Sequence, residues 1–238
     1  MDVLGGRSLT IVGAGRMGSA LTNALTKAGV SVVGPVRRNE PVLGDLILLT
    51  VPDREIAAAA RSAPPGAIVG HTAGAMTLDG LAPREAFSFH PLMTVSRGRA
   101  VFEGAAAAVA GSTPKALEIA RALATRLSME PLEIPNSRRT AYHAAASIAA
   151  NFLVTLESMA ARVGMAGGLE RRHLLPLARA ALENWGDSGQ AALTGPIARG
   201  DVEIVNQQRA AVEATAPELL AAWDAMAAAT AAIARDGK

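Results

Sequence analysis

SLTIVGAGRMGSALTNALTK, residues Ser8 to Lys27, changes its periodicity halfway along. Leu9-Thr10-Ile11-Val12 is a short apolar, β-branched run, the pattern of a buried strand. From Met17 onward, Leu21, Ala24 and Leu25 recur at helical spacing. Between the two lies Gly13-Ala14-Gly15-Arg16-Met17-Gly18, a G-x-G-x-x-G. In a strand–turn–helix context, Gly13 permits the tight turn, Gly15 lets the backbone approach a pyrophosphate, and Gly18 lets the helix pack closely on the strand. The phosphates would then sit at the helix N-terminus, where free N–H groups and the helix dipole favour negative charge. A βα turn that merely needs small residues is the plainer alternative. The strand before and the helix after favour a dinucleotide site formed by Gly13, Ala14, Gly15, Arg16, Met17 and Gly18.

Beyond the first helix, Gly29 reads as its stop, and Ser31–Val36 as a second strand. The end of that strand faces the adenosine ribose in a Rossmann unit. An acid there binds the 2′-hydroxyl of NAD, and an arginine accommodates the 2′-phosphate of NADP. This position carries Arg37-Arg38 and no acid, which points to NADP. Asn39 to Asp45 is too short for a crossover helix. Leu46–Val51 is a continuous apolar run, as expected for a central parallel strand covered on both faces. Arg54–Ser62 reads as a helix. Ala67–Gly70, Ala86–Phe89, Ala105–Ala110 and Glu130–Ile134 read as further strands, and Thr113 caps a helix with Pro114 at its first position.

From Pro135 onward the strand signals stop. Asn136–Val163 reads as one long helix. Leu169–His173 and Pro176–Trp185 read as two pieces, because proline disrupts a helix interior. Val202–Ala214, capped by Asp201, and a final helix from Pro217 complete the chain. The expected class is α/β: a Rossmann-like, mostly parallel sheet followed by an all-helical C-terminal domain. Residues 1–135 would bind the dinucleotide, and 136–238 would serve substrate and dimerisation. Ligands of such sheets bind at the carboxyl ends of the strands. Val51 and Pro52, His71 and Thr72, and His90 all fall there.

Composition narrows the partners. With 23 basic residues against 21 acidic ones, the net charge is only +2, so nucleic acid is a poor fit. The chain has no cysteine, which excludes disulfides and thiolate chemistry and fits a reducing cytoplasm. No signal peptide is evident at the start. The apolar stretches around Ala141–Leu156 and Ala225–Ala234 are short and Ala-rich, and no membrane span is expected. The C-terminal helices are also Ala-rich, bury little area per residue, and would be weakly cored alone. A homodimer through them is expected.

The order G-A-G-R-M-G, V-P-D, H-T-A-G, F-H-P-L, Y-H-A-A-A-S with a following A-N, and L-T-G-P-I-A-R-G-D covers nearly the whole chain. It resembles the Rossmann-like proteins with a helical C-terminal domain of unknown function, in the 6-phosphogluconate dehydrogenase-like superfamily. The resemblance implies NADPH-dependent reduction of C=O or C=N, as in ketopantoate reductase and pyrroline-5-carboxylate reductase, and dimerisation through the helical domain. One departure stands out. Classical ketopantoate reductases carry a catalytic lysine early in the interdomain helix. The lysines here are Lys27, Lys115 and Lys238, none of them in that helix.

Reduction of a carbonyl needs a proton donor and groups that polarise the oxygen. His143, Ser147 and Asn151 are spaced i, i+4, i+8 and share one helical face. His143 suits proton transfer because an imidazole titrates near neutrality. Asn151 would orient substrate or the nicotinamide amide, with Ser147 beside the substrate. A satisfied interdomain histidine is the structural alternative. His71 and His90, at neighbouring strand ends, are further candidates for nicotinamide or substrate, His90 being the second choice as proton donor. No metal set accompanies them. Thr194-Gly195 and Arg199 would offer N–H groups and a guanidinium to a substrate carboxylate.

Overall fold

Leu9–Val12 (β1) forms where four successive residues leave no face to wet, and all four are buried. In the computed structural model, which describes residues 3–4, 6–96 and 100–236, β1 lies second from one edge of a seven-stranded sheet. Its companions are Val32–Val36 (β2), Leu46–Leu49 (β3), Ile68–His71 (β4), Ala86–Pro91 (β5), Ala106–Gly111 (β6) and Glu130–Glu133 (β7). The order is β2-β1-β3-β4-β5-β6-β7. β1 to β5 are mutually parallel, β6 is antiparallel to β5, and β7 is parallel to β6. The chain leaves β1 to one side and returns on the other as β3. The carboxyl ends of these two strands therefore flank the crevice where open α/β sheets take ligands.

The two-residue period of a strand sorts side chains to opposite faces. Leu46 and Leu48 join Leu9, Ile11, Phe87 and Phe89 in one buried cluster, against Arg16–Lys27 (α1) and Pro114–Arg126 (α3). Ile47 and Leu49 join Val12, Val69 and Leu81 in the other, against Ile56–Arg61 (α2). Two prolines sit within the edge strands, while Pro91 ends the interior strand β5. Pro35 lies in β2 at one edge and Pro131 in β7 at the other, where a missing N–H breaks no central ladder. Thr113 caps α3 as expected, its hydroxyl accepting from the Ala116 N–H at 3.1 Å.

The turn after β1 is held by a close approach. Gly13 has φ +113°, and the Thr50 hydroxyl lies 2.9 Å from both the Val12 and Gly13 carbonyl oxygens. A Cβ on Gly18 would stand 1.9 Å from the Gly13 carbonyl oxygen. Gly18 thus presses α1 directly onto the turn.

After β7 the backbone turns helical at Asn136. Arg139–Ser147 (α4) is followed by a π-helical turn, Ile148–Phe152, and then by Leu153–Gly164 (α5). The chain divides into two compact units at Ile148/Ala149, so α4 groups with the sheet. The sequence reading placed a boundary at Pro135, where the strands give out. The second unit contains α5, Arg171–Ser188 (α6), Pro196–Arg199 (α7), Val202–Thr215 (α8) and Leu220–Asp236 (α9). The expected break at Pro176 does not occur: α6 runs through it. Pro176 falls in the second turn and forfeits a single bond, to the carbonyl of exposed Arg172, which water can serve. The first turn is pinned by a reciprocal cap between Glu170 and His173.

The helical run Asn136–Gly167 corrects a second expectation. Its 32 residues include an 18-residue stretch of mean hydropathy 1.4, apolar enough to cross a membrane and with none of its own residues buried. The sequence reading took the apolar stretch Ala141–Leu156 as too short for a span, whereas the helical run that contains it is long enough. Within the second unit, Val212 and Ala216 are the buried apolar residues among those described. Phe152, Val154, Leu177, Trp185 and Val202 are exposed.

The two ends of the glycine turn should respond differently to one methyl group. Gly18→Ala should destabilise the protein by about 3 kcal/mol, the upper range for overpacking. Gly15→Ala, with nothing within 4 Å of the new atom, should cost about 1 kcal/mol or less. Urea unfolding of the two variants provides the comparison.

Candidate functional site

The first candidate is the cleft over the glycine turn. The first helical bond of α1 is Ser19 N–H to Gly15 carbonyl, at 3.0 Å, so the N–H groups of Arg16, Met17 and Gly18 point out of the helix end. Ala14, Gly15 and Arg16 are exposed. A cavity of about 700 Å³ lies beside the turn, lined by Gly13, Arg37, Arg38, Val51 and the start of the β2–β3 loop. A second, of about 710 Å³, is lined by Ala14, Gly15, Arg16 and Lys27. Gly13 and Gly18 are explained by contacts inside the protein. Gly15 is not: the space above it is open. A residue without a side chain facing open space is what a closely approaching ligand requires. The turn fits a dinucleotide pyrophosphate.

At the adenosine end, the structure amends the sequence reading. No acid stands at Arg37 or Arg38 in sequence, yet two acids line the same cavity. The Arg37 N–H donates to the Glu40 carboxylate at 2.6 Å, and Arg38 pairs with Glu55 at 2.7 Å. Glu40 arrives because the loop folds back on itself, and Glu55 arrives from the turn after β3. Both guanidinium groups stay at the surface, Arg38 with 77% of its side chain exposed. Val51 is half-buried in this cavity wall, and Pro52 is exposed beside it.

The second candidate lies at the carboxyl ends of β4 and β5, under α4. Three residues of α4's first half, Arg139, Tyr142 and His143 in the run RTAYH, make it. Arg139 is 1% exposed. Its Nη1 donates to the Met76 carbonyl at 3.1 Å and its Nη2 to Ser88 Oγ at 3.0 Å, while Nε has no partner. Among the described residues no carboxylate pairs with it. Burial lowers its pKa. Tyr142 and His143, three and four residues on, share its helical face. Tyr142 Oη lies 2.7 Å from His90 Nδ1, the rings meeting edge-on. The His143 ring also meets His90 edge-on, with centroids 6.1 Å apart. Gly74 fills the remaining side. A Cβ there would stand 2.6 Å from His143 Cδ2 and 2.9 Å from His90 Nε2.

His71 is fully buried and offers a ligand no surface. Its Nδ1 accepts from the Ala73 N–H at 3.2 Å, which places the proton on Nε2. Nε2 finds no acceptor in full hydrogen-bond geometry, although the Thr77 carbonyl is near enough to raise the ring's basicity slightly. His71 and Arg139 together hold the Thr72–Thr77 loop in place. Burial, then the charge of Arg139, bring the His71 pKa down to about 4. Burial, then His143 and Arg139, bring His90 down to about 4 as well. Burial pushes Tyr142 up to about 12. No cluster of three metal-ligating side chains occurs among the described residues.

The structure thus brings together His71, His90 and His143, and adds Tyr142, Arg139 and Ser88, which the sequence reading passed over. The i, i+3, i+4 spacing of Arg139, Tyr142 and His143 was the signal available for two of them. Thr72 is half-buried at the end of β4, its N–H bonded to the Leu49 carbonyl at 3.1 Å. Ser147 is half-buried at the end of α4, and Asn151 is exposed in the π-helical turn of the second unit. Also in that unit, Thr194 is exposed, Gly195 precedes α7 at φ +96°, and Arg199 is paired with Asp201 at 3.1 Å. That pairing occupies the guanidinium expected to meet a substrate carboxylate.

Residues 105–230, more than half of the chain, match the family described as a domain of unknown function (DUF2520). The chain belongs to this family. No curated protein is similar to it in sequence. Among solved structures it is similar to BF3122 from Bacteroides fragilis, with 19% identity and a TM-score of 0.82 over 96% of this chain and 99% of that one. It is also similar to TM1727 from Thermotoga maritima, with 23% identity and a TM-score of 0.77 over 96% and 99%. Pyrroline carboxylate reductase from Plasmodium falciparum, solved with NADP bound, matches at 13% identity and a TM-score of 0.61, over 96% and 98%. At these identities the likeness is one of fold: a Rossmann-like sheet followed by helices.

The two buried histidines make acid stability a test of the strand-end geometry. An unfolded histidine takes up its proton near 6.5, whereas folded His71 and His90 wait until about 4. Between those values the unfolded chain binds more protons, so stability falls as the pH drops, by on the order of a few kcal/mol in all. Above 6.5 the contribution is fully present. Chemical denaturation between pH 7.5 and 4 should show this slope, and His71→Gln should flatten it.

Proposed function

We propose that the protein is an NADPH-dependent reductase of a small anionic carbonyl compound, with a 2-oxo acid such as ketopantoate as the first substrate to test. The observation that carries this reading is Gly15, a glycine facing open space at a helix N-terminus. Its neighbours Gly13, Ala14, Arg16, Met17 and Gly18 would hold the pyrophosphate, and Arg37 and Arg38 the 2′-phosphate. Val51, Pro52 and Thr72 would line the path along the strand ends, and His71 would act through the loop it holds. The nicotinamide, when bound, would supply a hydride. The protein's own contribution is the proton, drawn from the cluster of His143 and His90. Asn151, Ser147, Thr194, Gly195 and Arg199 are candidates for substrate recognition read from sequence.

A cyclic imine acid is the second substrate class, favoured by the fold shared with a pyrroline carboxylate reductase. A cofactor-binding sensor without turnover is the reading favoured by the lack of any lysine between Asn136 and Gly167. Oxidation of NADPH by the pure protein, against a panel of 2-oxo acids and cyclic imines, separates these readings. Turnover with one class assigns the substrate, and tight NADPH binding without turnover assigns the sensor.

NADPH should bind more tightly than NADH. Replacing Arg37 and Arg38 together by Ala should weaken NADPH selectively, by a few kcal/mol at most, since a charge-assisted bond is worth about 1.5–3 kcal/mol. Fluorescence titration with both cofactors is the measurement, and equal affinities in the native protein would count against the assignment.

We also propose a homodimer through the C-terminal helices, in the cytoplasm. The second unit buries too little of its own apolar surface to be cored alone. A second copy suits the run Asn136–Gly167 better than a bilayer does, because Arg139, Tyr142 and His143 within it pack against the sheet. Light scattering at micromolar concentration should give twice the chain mass.

A further inference from the structure

Resting on the reductase reading, we propose that the Tyr142 hydroxyl is the group that hands the proton to the reduced oxygen or nitrogen, and that His90 holds and reloads it. Sequence put an imidazole in that role. The geometry points instead to a phenol–imidazole pair. Tyr142 Oη and His90 Nδ1 are 2.7 Å apart, and His90 projects from the carboxyl end of β5, where ligands of such sheets bind. Tyr142 is half-buried, so its side chain keeps some access to open space. None of the hydrogen bonds among the described residues involves the His143 ring, which is placed by its edge-on contact with His90. Tyr142, in contrast, is aimed by a hydrogen bond and by the edge-on packing of its ring.

The proton accounting closes on this pair. As the substrate carbon is reduced, the C=O electron pair moves to oxygen. That oxygen takes the proton from Tyr142 Oη. The phenolate takes the proton from His90 Nδ1, and Nε2 of the half-buried ring takes one from solvent, with proton exchange restoring the Nδ1–H form for the next turnover. One hydride and one solvent proton are consumed, and the imidazole ends neutral. For an imine, nitrogen replaces oxygen. Arg139 is a positioning residue for both partners. It ties the first turn of α4 to β5 through Ser88 and lies one helical turn before Tyr142. The groups facing the pair are Arg139 and His143 on α4 and His71 on β4. None is an acid, so burial and positive charge keep His90 neutral down to about pH 4, and Tyr142 stays protonated up to about 12. The pair is therefore in its working form across the neutral range.

Tyr142→Phe in the full-length protein is the test, since phenyl keeps the ring packing and removes only the oxygen. The expected kcat loss is at least 100-fold, within the 10²–10⁴ range of general acid catalysis. The NADPH dissociation constant and the melting temperature should stay near native values. Native kcat should be flat from pH 6 to 9. In nitrogen-15 NMR spectra without substrate, the His90 Nδ1 resonance should move in Tyr142→Phe, reporting the lost hydrogen bond. His90→Gln, which can still bond the hydroxyl, should retain more kcat than His90→Ala. A Phe variant with native kcat would overturn the proposal while leaving the reductase reading intact. So would a native rate that falls through pH 6.5, the mark of an imidazolium donor, or an unmoved His90 resonance. No turnover by the native protein on any substrate would remove the reductase reading, and this inference with it.

Discussion

A guanidinium buried without a carboxylate is the constraint around which the strand-end site is built. Taking an ion out of water costs several kcal/mol even after the protein relaxes. Arg139 recovers part of this through a backbone carbonyl and a serine hydroxyl, and leaves Nε unpaired. Those two bonds reach different pieces of chain: Met76 in the loop after β4 and Ser88 within β5. The same side chain therefore fixes the height of α4 over the sheet and the path of the loop carrying Gly74. Without it, neither Tyr142 nor His143 has a reason to stand beside His90.

Small residues complete the constraint. Gly74 is the only residue type its place admits, because the rings of His90 and His143 occupy the space a Cβ would need. Gly70, one strand position before His71, is covered by the Phe87 ring in the same way. The sheet is thus thinnest where the imidazoles gather. Packing of aromatic rings on bare backbone excludes water from their sides, which lowers the basicity of His71 and His90 and raises that of the Tyr142 phenolate.

The sheet was legible in the sequence because its signals are local. β3 is a bare run of four apolar residues, and Pro114 after Thr113 announces α3 without any tertiary information. The helical unit was less so. Pro176 has a strong local preference against helix interiors, but a capped first turn and a solvated carbonyl outweigh it. The strand-end cluster was half legible. His71, His90 and His143 drew attention as rare residues in chemically suggestive places. Arg139 did not, since arginine at a helix start is common and its burial depends on a loop sixty residues away. The acids of the adenosine cleft were missed for the same reason: a fixed offset along the chain identifies Arg37 and Arg38, but Glu55 reaches them only through the fold.

The two ends of the site handle charge in opposite ways. In the cleft beside the glycine turn, the carboxylates of Glu40 and Glu55 offset Arg37 and Arg38, and the side chains are solvated, so the net field is weak. At the strand ends, Arg139 is buried and pairs with no acid among the described residues, beside two histidines that stay neutral. Two unit charges 6 Å apart interact by about 3 kcal/mol at an effective dielectric constant of 20. An anionic group arriving near β4 and β5 is drawn by a field of that order without touching Arg139. On the proposed reductase reading, the same field would stabilise negative charge developing on a substrate oxygen, before any proton moves. Selection for an anionic substrate and assistance to its reduction would then have one physical origin, a cation that the fold has sealed away from both solvent and substrate.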